Sequence, residues 1–175
     1  MQETEVFEAS VTQEEELEDT MEDKFLTFAL GKEEYGIDIG DVREIIGIQM
    51  ITEVPDMPHF IKGVINLRGK IIPVMDIRIR FGLEEREYNE RTSIIVVNIH
   101  NTDVGLIVDT VSEVLDIEKE NIEQTTEVGK GKENQYVKAF GKVDNSVKIL
   151  LDIQNLLFGQ ELAQLSKKSK ENNSN

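Results

Sequence analysis

The stretch Phe25–Ile48, FLTFALGKEEYGIDIGDVREIIGI, decides the fold, because it lies over Ile94–Ile117, IIVVNIHNTDVGLIVDTVSEVLDI, without a gap. Phe25-Leu26-Thr27-Phe28 falls on Ile94-Ile95-Val96-Val97, Tyr35-Gly36-Ile37 on Val104-Gly105-Leu106, and Val42-Arg43-Glu44-Ile45 on Val111-Ser112-Glu113-Val114. Two further blocks match at a slightly longer spacing: Phe60-Ile61-Lys62-Gly63 with Tyr136-Val137-Lys138-Ala139, and Val74-Met75-Asp76-Ile77 with Leu150-Leu151-Asp152-Ile153. The chain is a tandem of two related β units. A pair of small barrels with no catalytic kit between them is a docking device, so the question becomes what docks and where.

Working outward, Phe25–Leu30 and Tyr35–Ile39 flank the turn Gly31-Lys32-Glu33-Glu34 and read as a hairpin. Val42–Ile48 is short and rich in β-branched residues, which predicts a third strand, although Val42, Ile45 and Ile46 also fit a helical stripe. Two prolines mark Thr52–Pro58 as loop. Ile61–Leu67 and Lys70–Met75 are strands joined at Arg68-Gly69. Asp76 has the chemistry of an N-cap for a short helix ending at Gly82, since its carboxylate accepts from free backbone N–H groups of a first turn. The second unit repeats the plan with strands at 93–100, 103–109, 111–116, 136–143 and 147–151, and a helix capped by Asp152. Its segment Ile117–Gln135 is longer than the counterpart and predicts a loop.

Five short strands per unit predict two tandem SH3-like barrels side by side, since closing a sheet removes its exposed edges. The expected division is an acidic disordered tail at 1–23, a first barrel with its linker at 24–92, a second barrel at 93–160 and a polar C-terminal tail at 161–175. Each unit alone buries little core. The two are therefore expected to pack through apolar side chains, with a partner in the crevice between them.

Charge is unevenly spread. The formal net charge is −16, and residues 1–23 hold ten of the 35 acids and none of the 19 Lys and Arg, which leaves −6 for 24–175. A self-repelling tail with few apolar residues does not fold. The acidic balance excludes a nucleic-acid binder, which needs a basic face. Cysteine is absent, so there is neither a disulfide framework nor thiolate chemistry. No apolar run reaches the roughly 18 residues of a membrane span, and the N-terminus is acidic, so a cytoplasmic protein is expected.

The chemistry of catalysis is missing from the pattern. His59 and His100 are the only histidines and neither has a metal-ligand or triad spacing. His59, between Pro58 and Phe60, reads as a loop or packing residue. Gly129-Lys130-Gly131-Lys132 fails the phosphate-loop test, because Glu133 follows Lys132 and Thr126 precedes Gly131 by five. Asp76 and Asp152 form a symmetric acid pair, but capping explains their repeated place. No enzyme activity, metal or other cofactor is expected.

Phe60-Ile61-Lys62-Gly63-Val64-Ile65-Asn66-Leu67-Arg68-Gly69-Lys70-Ile71-Ile72-Pro73-Val74-Met75-Asp76, together with Glu34-Tyr35-Gly36-Ile37-Asp38-Ile39 and Val42-Arg43-Glu44-Ile45, resembles the CheW-like coupling proteins of bacterial chemotaxis over residues 24–160. The resemblance implies a non-enzymatic scaffold of two five-stranded barrels. Its partners would be the regulatory domain of a CheA-type histidine kinase and the hairpin tip of a methyl-accepting receptor, in arrays at the inner face of the membrane. It also implies a receptor groove lined by Leu26, Ile39, Val42 and Ile45 with Glu44 at the edge. Arg68 would contact receptor or kinase, and a second kinase contact falls near Glu127 and Val128. Gly63 and Gly69 read as serving backbone geometry. An adaptor of another chemosensory pathway and a small-molecule-binding double barrel are the competing readings.

Overall fold

The computed structural model describes residues 21–125 and 135–158. The first unit contributes β1 (Lys24–Leu30), β2 (Glu33–Asp38), β3 (Val42–Gly47), β4 (Ile61–Leu67), β5 (Lys70–Asp76) and the helix α1 (Ile77–Arg80). The second contributes β6 (Ser93–Ile99), β7 (Thr102–Val108), β8 (Thr110–Asp116), β9 (Ile122–Gln124), β10 (Val137–Val143), β11 (Ser146–Leu151) and α2 (Ile153–Phe158). Single turns of 3-10 helix precede β3 (Ile39–Asp41) and β9 (Lys119–Asn121).

The strands form two sheets, one of six in the order β8-β1-β2-β11-β10-β9 and one of five in the order β3-β6-β7-β5-β4. The chain is mostly β with two barrel-like sheets, as expected, but the sheets do not follow the sequence halves 24–92 and 93–160. Hairpin β1–β2 pairs with β8 and β11 of the second half, and hairpin β6–β7 pairs with β3 and β5 of the first. Each half lends its hairpin to the other's barrel. The cause lies in the connections. One residue, Asp109, separates β7 from β8, which is too short for a two-residue hairpin turn, so the chain crosses to the other sheet. The 3-10 turn at Ile39–Asp41 lifts β3 away from β2 in the same way. Part of the expected loop Ile117–Gln135 is structured: β9 pairs with β10, and its counterpart in the first half is a lone bridge between Thr52 and Val64.

Turn chemistry sets the registers. Arg68 and Gly69, both at positive φ (51° and 86°), close β4–β5 with Leu67 opposite Lys70; this is the type I′ geometry whose twist matches paired strands. The expected caps form. Asp76 Oδ1 accepts from Ile79 N at 3.3 Å, and Asp152 Oδ1 accepts from Asn155 N at 3.1 Å.

β1 and β6 each bury four successive residues, because both faces of these strands are covered. One face lines a barrel: Ile65, Ile72, Val74, Ile94, Val96 and Ile107 in the five-stranded sheet, and Phe25, Ile117, Ala139 and Leu150 in the six-stranded one. The other face fills the seam between sheets, where Leu26, Phe28 and Ile37 meet Ile95, Val97 and Leu106. The largest core is thus the seam itself. The sheets pack on each other through apolar side chains, as expected, because two sheets this small obtain most of their burial from each other; a partner has room only at the margins of the seam. Helix α1 pins the seam: the Arg80 guanidinium lies 4.3 Å from the Phe60 ring centroid and 4.8 Å from that of Tyr136, and Nη2 donates to Leu156 O.

Candidate functional site

The seam core thins out at β3, an edge strand of the five-stranded sheet. Val42 stands opposite Val97 and Ile45 opposite Ile95, with a bulge at Arg43 between Val42 and Glu44. Val97 and Ile95 belong to the seam, so Val42 and Ile45 face the same way. Val42 and Ile39 are half-buried against that core. Ile45 is 46% exposed and forms an apolar step at the margin. Leu26, expected in the same groove, is only 2% exposed and sits inside the seam between Ile37 and Val114. It supports the site from behind and offers no surface of its own. The structure therefore brings Ile39, Val42 and Ile45 together along one margin and withdraws Leu26 from it.

Glu44 points to the other face. It stands opposite Val96, which lines the barrel, and its Oε2 pairs with Nη2 of Arg68 on the β4–β5 turn. Two residues nominated separately in the sequence thus meet in one ion pair spanning the gap between edge strand and turn. Arg68 is 73% exposed at its side chain and Glu44 28%. The second oxygen, Oε1, is buried with no hydrogen-bond partner among the described residues. Beside this pair, Asp103 on β7 accepts from Lys70 Nζ and Asn98 Nδ2, both at 2.5 Å, with Arg43 at 3.9 Å. Hydrogen bonds from Asn98 and Lys70 hold the Asp103 carboxyl below its ordinary range, and the charges of Lys70 and Arg43 add to this. Paired charges thus flank the apolar margin.

The repeat carries a second margin that sequence reasoning passed over. Val111 and Val114 on β8 occupy the places of Val42 and Ile45, and Val114 is exposed. Ile71 and Val147, matched by the longer spacing, are also both exposed. Laying the repeats over each other was the signal that pairs them. Glu127 and Val128, with the Gly-Lys-Gly-Lys stretch, lie outside the described residues. His59 is an exposed loop residue 3.7 Å from Glu85, and His100 sits at positive φ in the β6–β7 turn. Among the described residues no group of three or more His, Asp or Glu is placed to hold a metal.

An edge strand with an apolar margin, backed by a packed double barrel, defines a β module with an apolar surface at its rim. A family model, CheW-like domain, matches residues 24–161. The chain belongs to that family. It is 41% identical over 145 residues to a chemotaxis protein CheW from Klebsiella aerogenes, covering 83% of this chain and 87% of that one. It is 31% identical over 147 residues to a chemotaxis protein CheW from Treponema pallidum, covering 82% and 86%. The crystal structure of the scaffolding protein TtCheW from Thermoanaerobacter tengcongensis superposes with a TM-score of 0.73 at 39% identity, over 79% of this chain and 94% of that one.

Proposed function

We propose that this chain is a non-enzymatic scaffold that couples methyl-accepting chemotaxis receptors to a CheA-type histidine kinase. The observation that carries the proposal is the β3 margin, where half-buried Ile39 and Val42 lead to exposed Ile45 at the rim of the seam, in a chain of the CheW-like family. An apolar margin suits the apolar face of a helical hairpin tip. The kinase regulatory domain would dock on a barrel end, with Glu127 and Val128 as a second contact. Among the described residues no helix is long and apolar enough to cross a membrane, so the scaffold would reach the inner membrane face through its receptors.

Calorimetric titration of the purified chain with the kinase regulatory domain tests the coupling. We expect heat and co-elution at about 10 μM or below, from an interface of roughly 1,000–1,600 Å². No heat and no co-elution with both proteins folded would reject the proposal.

The Glu44–Arg68 pair gives a sharper expectation. An exposed ion pair contributes at most about 1 kcal/mol, and Arg68 holds a left-handed φ that a non-glycine residue adopts at a cost. Arg68→Ala is therefore expected to keep the fold, with a loss of at most about 1 kcal/mol in urea unfolding. Receptor-dependent kinase activation in a reconstituted array is expected to fall about tenfold or more, because the lost donors serve a charge-assisted contact worth roughly 1.5–3 kcal/mol. Arg68→Lys restores only part of it, since ammonium lacks the planar fork. Full activation by the alanine variant would return Arg68 to a purely local role.

A further inference from the structure

Most partly or fully buried acids among the described residues have close side-chain partners: Asp38 pairs with Lys138, Glu34 with Lys148, Glu44 with Arg68, Asp103 with Lys70 and Asp109 with Arg78, while Asp76 accepts from Tyr88. Asp41 is different. It ends the 3-10 turn Ile39–Asp41, directly before Val42. It is half-buried, and its carboxylate has no hydrogen bond or ion pair among the described residues. The charges acting on it are the carboxylates of Asp38 and Asp152 and the ammonium of Lys138, and that ammonium is already engaged by Asp38. The turn is thus a site of surplus negative charge against the apolar margin of β3.

We propose that the partner docking on β3 carries a Lys or Arg beside its apolar residues, and that Asp41 is the carboxylate that receives it. The inference rests on the reading of β3 as the receptor-docking edge and adds the partner's chemistry. Desolvation pushes the Asp41 carboxyl above its ordinary range, Asp38 pushes it further, Lys138 opposes and Asp152 adds to the rise. The folded chain therefore disfavours this charge, and its contribution to stability is lost, not gained, as pH rises through its pKa. A partner cation would reverse that sign by supplying the missing opposite charge in a site water has partly left. Complementary charge at the rim also speeds encounter and makes binding sensitive to salt. A neutral helix tip would cover the apolar residues and leave Asp41 worse solvated than before.

The test uses the full chain and, as probe, the purified cytoplasmic signalling hairpin of a methyl-accepting receptor from the same organism. Affinity is measured at low and high salt for wild type, Asp41→Asn, Asp41→Lys and Ile45→Asp. We expect Asp41→Asn to weaken binding about threefold or more at low salt and to flatten its salt dependence. Asp41→Lys is expected to weaken it further, and Ile45→Asp to abolish it. Asp41→Asn is expected to melt no lower than wild type. Loss of binding in Ile45→Asp with wild-type affinity and salt dependence in Asp41→Asn would overturn the cation and leave the docking edge standing. Wild-type binding by Ile45→Asp would overturn both. A lower melting temperature for Asp41→Asn would make Asp41 a structural residue. Dissolution of a self-dimer by Asp41→Asn, seen by light scattering, would make the occupant a second copy; either result overturns the proposal.

Discussion

Asp109→Ala is expected to lower the unfolding free energy by about 3 kcal/mol, the low end of the loss on breaking a buried ion pair from one side, because this pair is mostly and not fully buried. Asp109 is the lone residue between β7 and β8, where the chain crosses from one sheet to the other. Its carboxylate accepts from Arg78 Nε and Nη2, both at 2.6 Å, and from Gly31 N at 2.8 Å, with Arg86 Nη1 at 3.3 Å. Those donors come from α1, the β1–β2 turn and the 84–92 linker. One carboxylate thus ties a helix, a hairpin borrowed by the other sheet, and the connection between halves. Alanine leaves the Arg78 guanidinium, only 14% exposed, without its counter-ion.

Burial pushes the Asp109 carboxyl up, but the Arg78 hydrogen bonds, the Gly31 N–H and the charges of Arg78 and Arg86 outweigh it and hold the group below its ordinary range. A depressed carboxylate stabilises the fold above its unfolded pKa, about 4, and that stabilisation is lost as pH falls through the lower folded value. The gap between wild type and Asp109→Ala in urea unfolding is therefore expected to narrow below about pH 4. A constant gap across acid pH would show that Asp109 acts by packing and not by charge.

Gly63→Ala is expected to cost at least about 3 kcal/mol or to prevent folding, because a backbone clash and strain act together. Gly63 lies at the bulge of β4 with φ at 145°, and a Cβ there would stand 2.0 Å from the carbonyl oxygen of Thr52. That oxygen accepts from Val64 N, and Thr52 N donates to Val64 O, both at 2.9 Å. The methyl group would break this bridge and drive Ile48 and Ile51 off the core of the five-stranded barrel. Gly69 provides the control. Its φ is also positive, yet nothing among the described residues lies within 4 Å of an added Cβ, so Gly69→Ala is expected to cost only the strain of its turn, about 1 kcal/mol. Equal losses in the two variants by thermal or urea unfolding would mean that φ alone, and not the Thr52 contact, governs Gly63.

Much of this fold was legible in the sequence because the repeat, the Arg68-Gly69 turn and the Asp76 and Asp152 caps are local chemistry. The exchange of hairpins was not. Val42-Arg43-Glu44-Ile45 and Val111-Ser112-Glu113-Val114 carry the same pattern, so either satisfies the edge of hairpin β1–β2 equally well on paper. The single-residue link at Asp109 settles the choice, and its shortness becomes visible only once β7 and β8 are bounded. β9 escaped notice because three residues carry no period. At the site, Ile39, Val42 and Ile45 lie along one margin. Leu26 does not, because the strand that carries it is buried on both faces. The Glu44–Arg68 pair had no signal in spacing, since it joins residues across a barrel mouth.

The exchanged hairpins also set an order of construction. On the ribosome, Leu26 and Phe28 emerge early, but their pairing strand β8 follows much later, and β11, which flanks β2, later still. The five-stranded sheet needs nothing beyond Val108, so it is the first that synthesis completes. Until β8 and β11 arrive, the N-terminal hairpin carries apolar faces with no sheet of its own, a state prone to wrong pairing. Biogenesis therefore runs against the sequence: the hairpin made first is the last to find the strands that flank it.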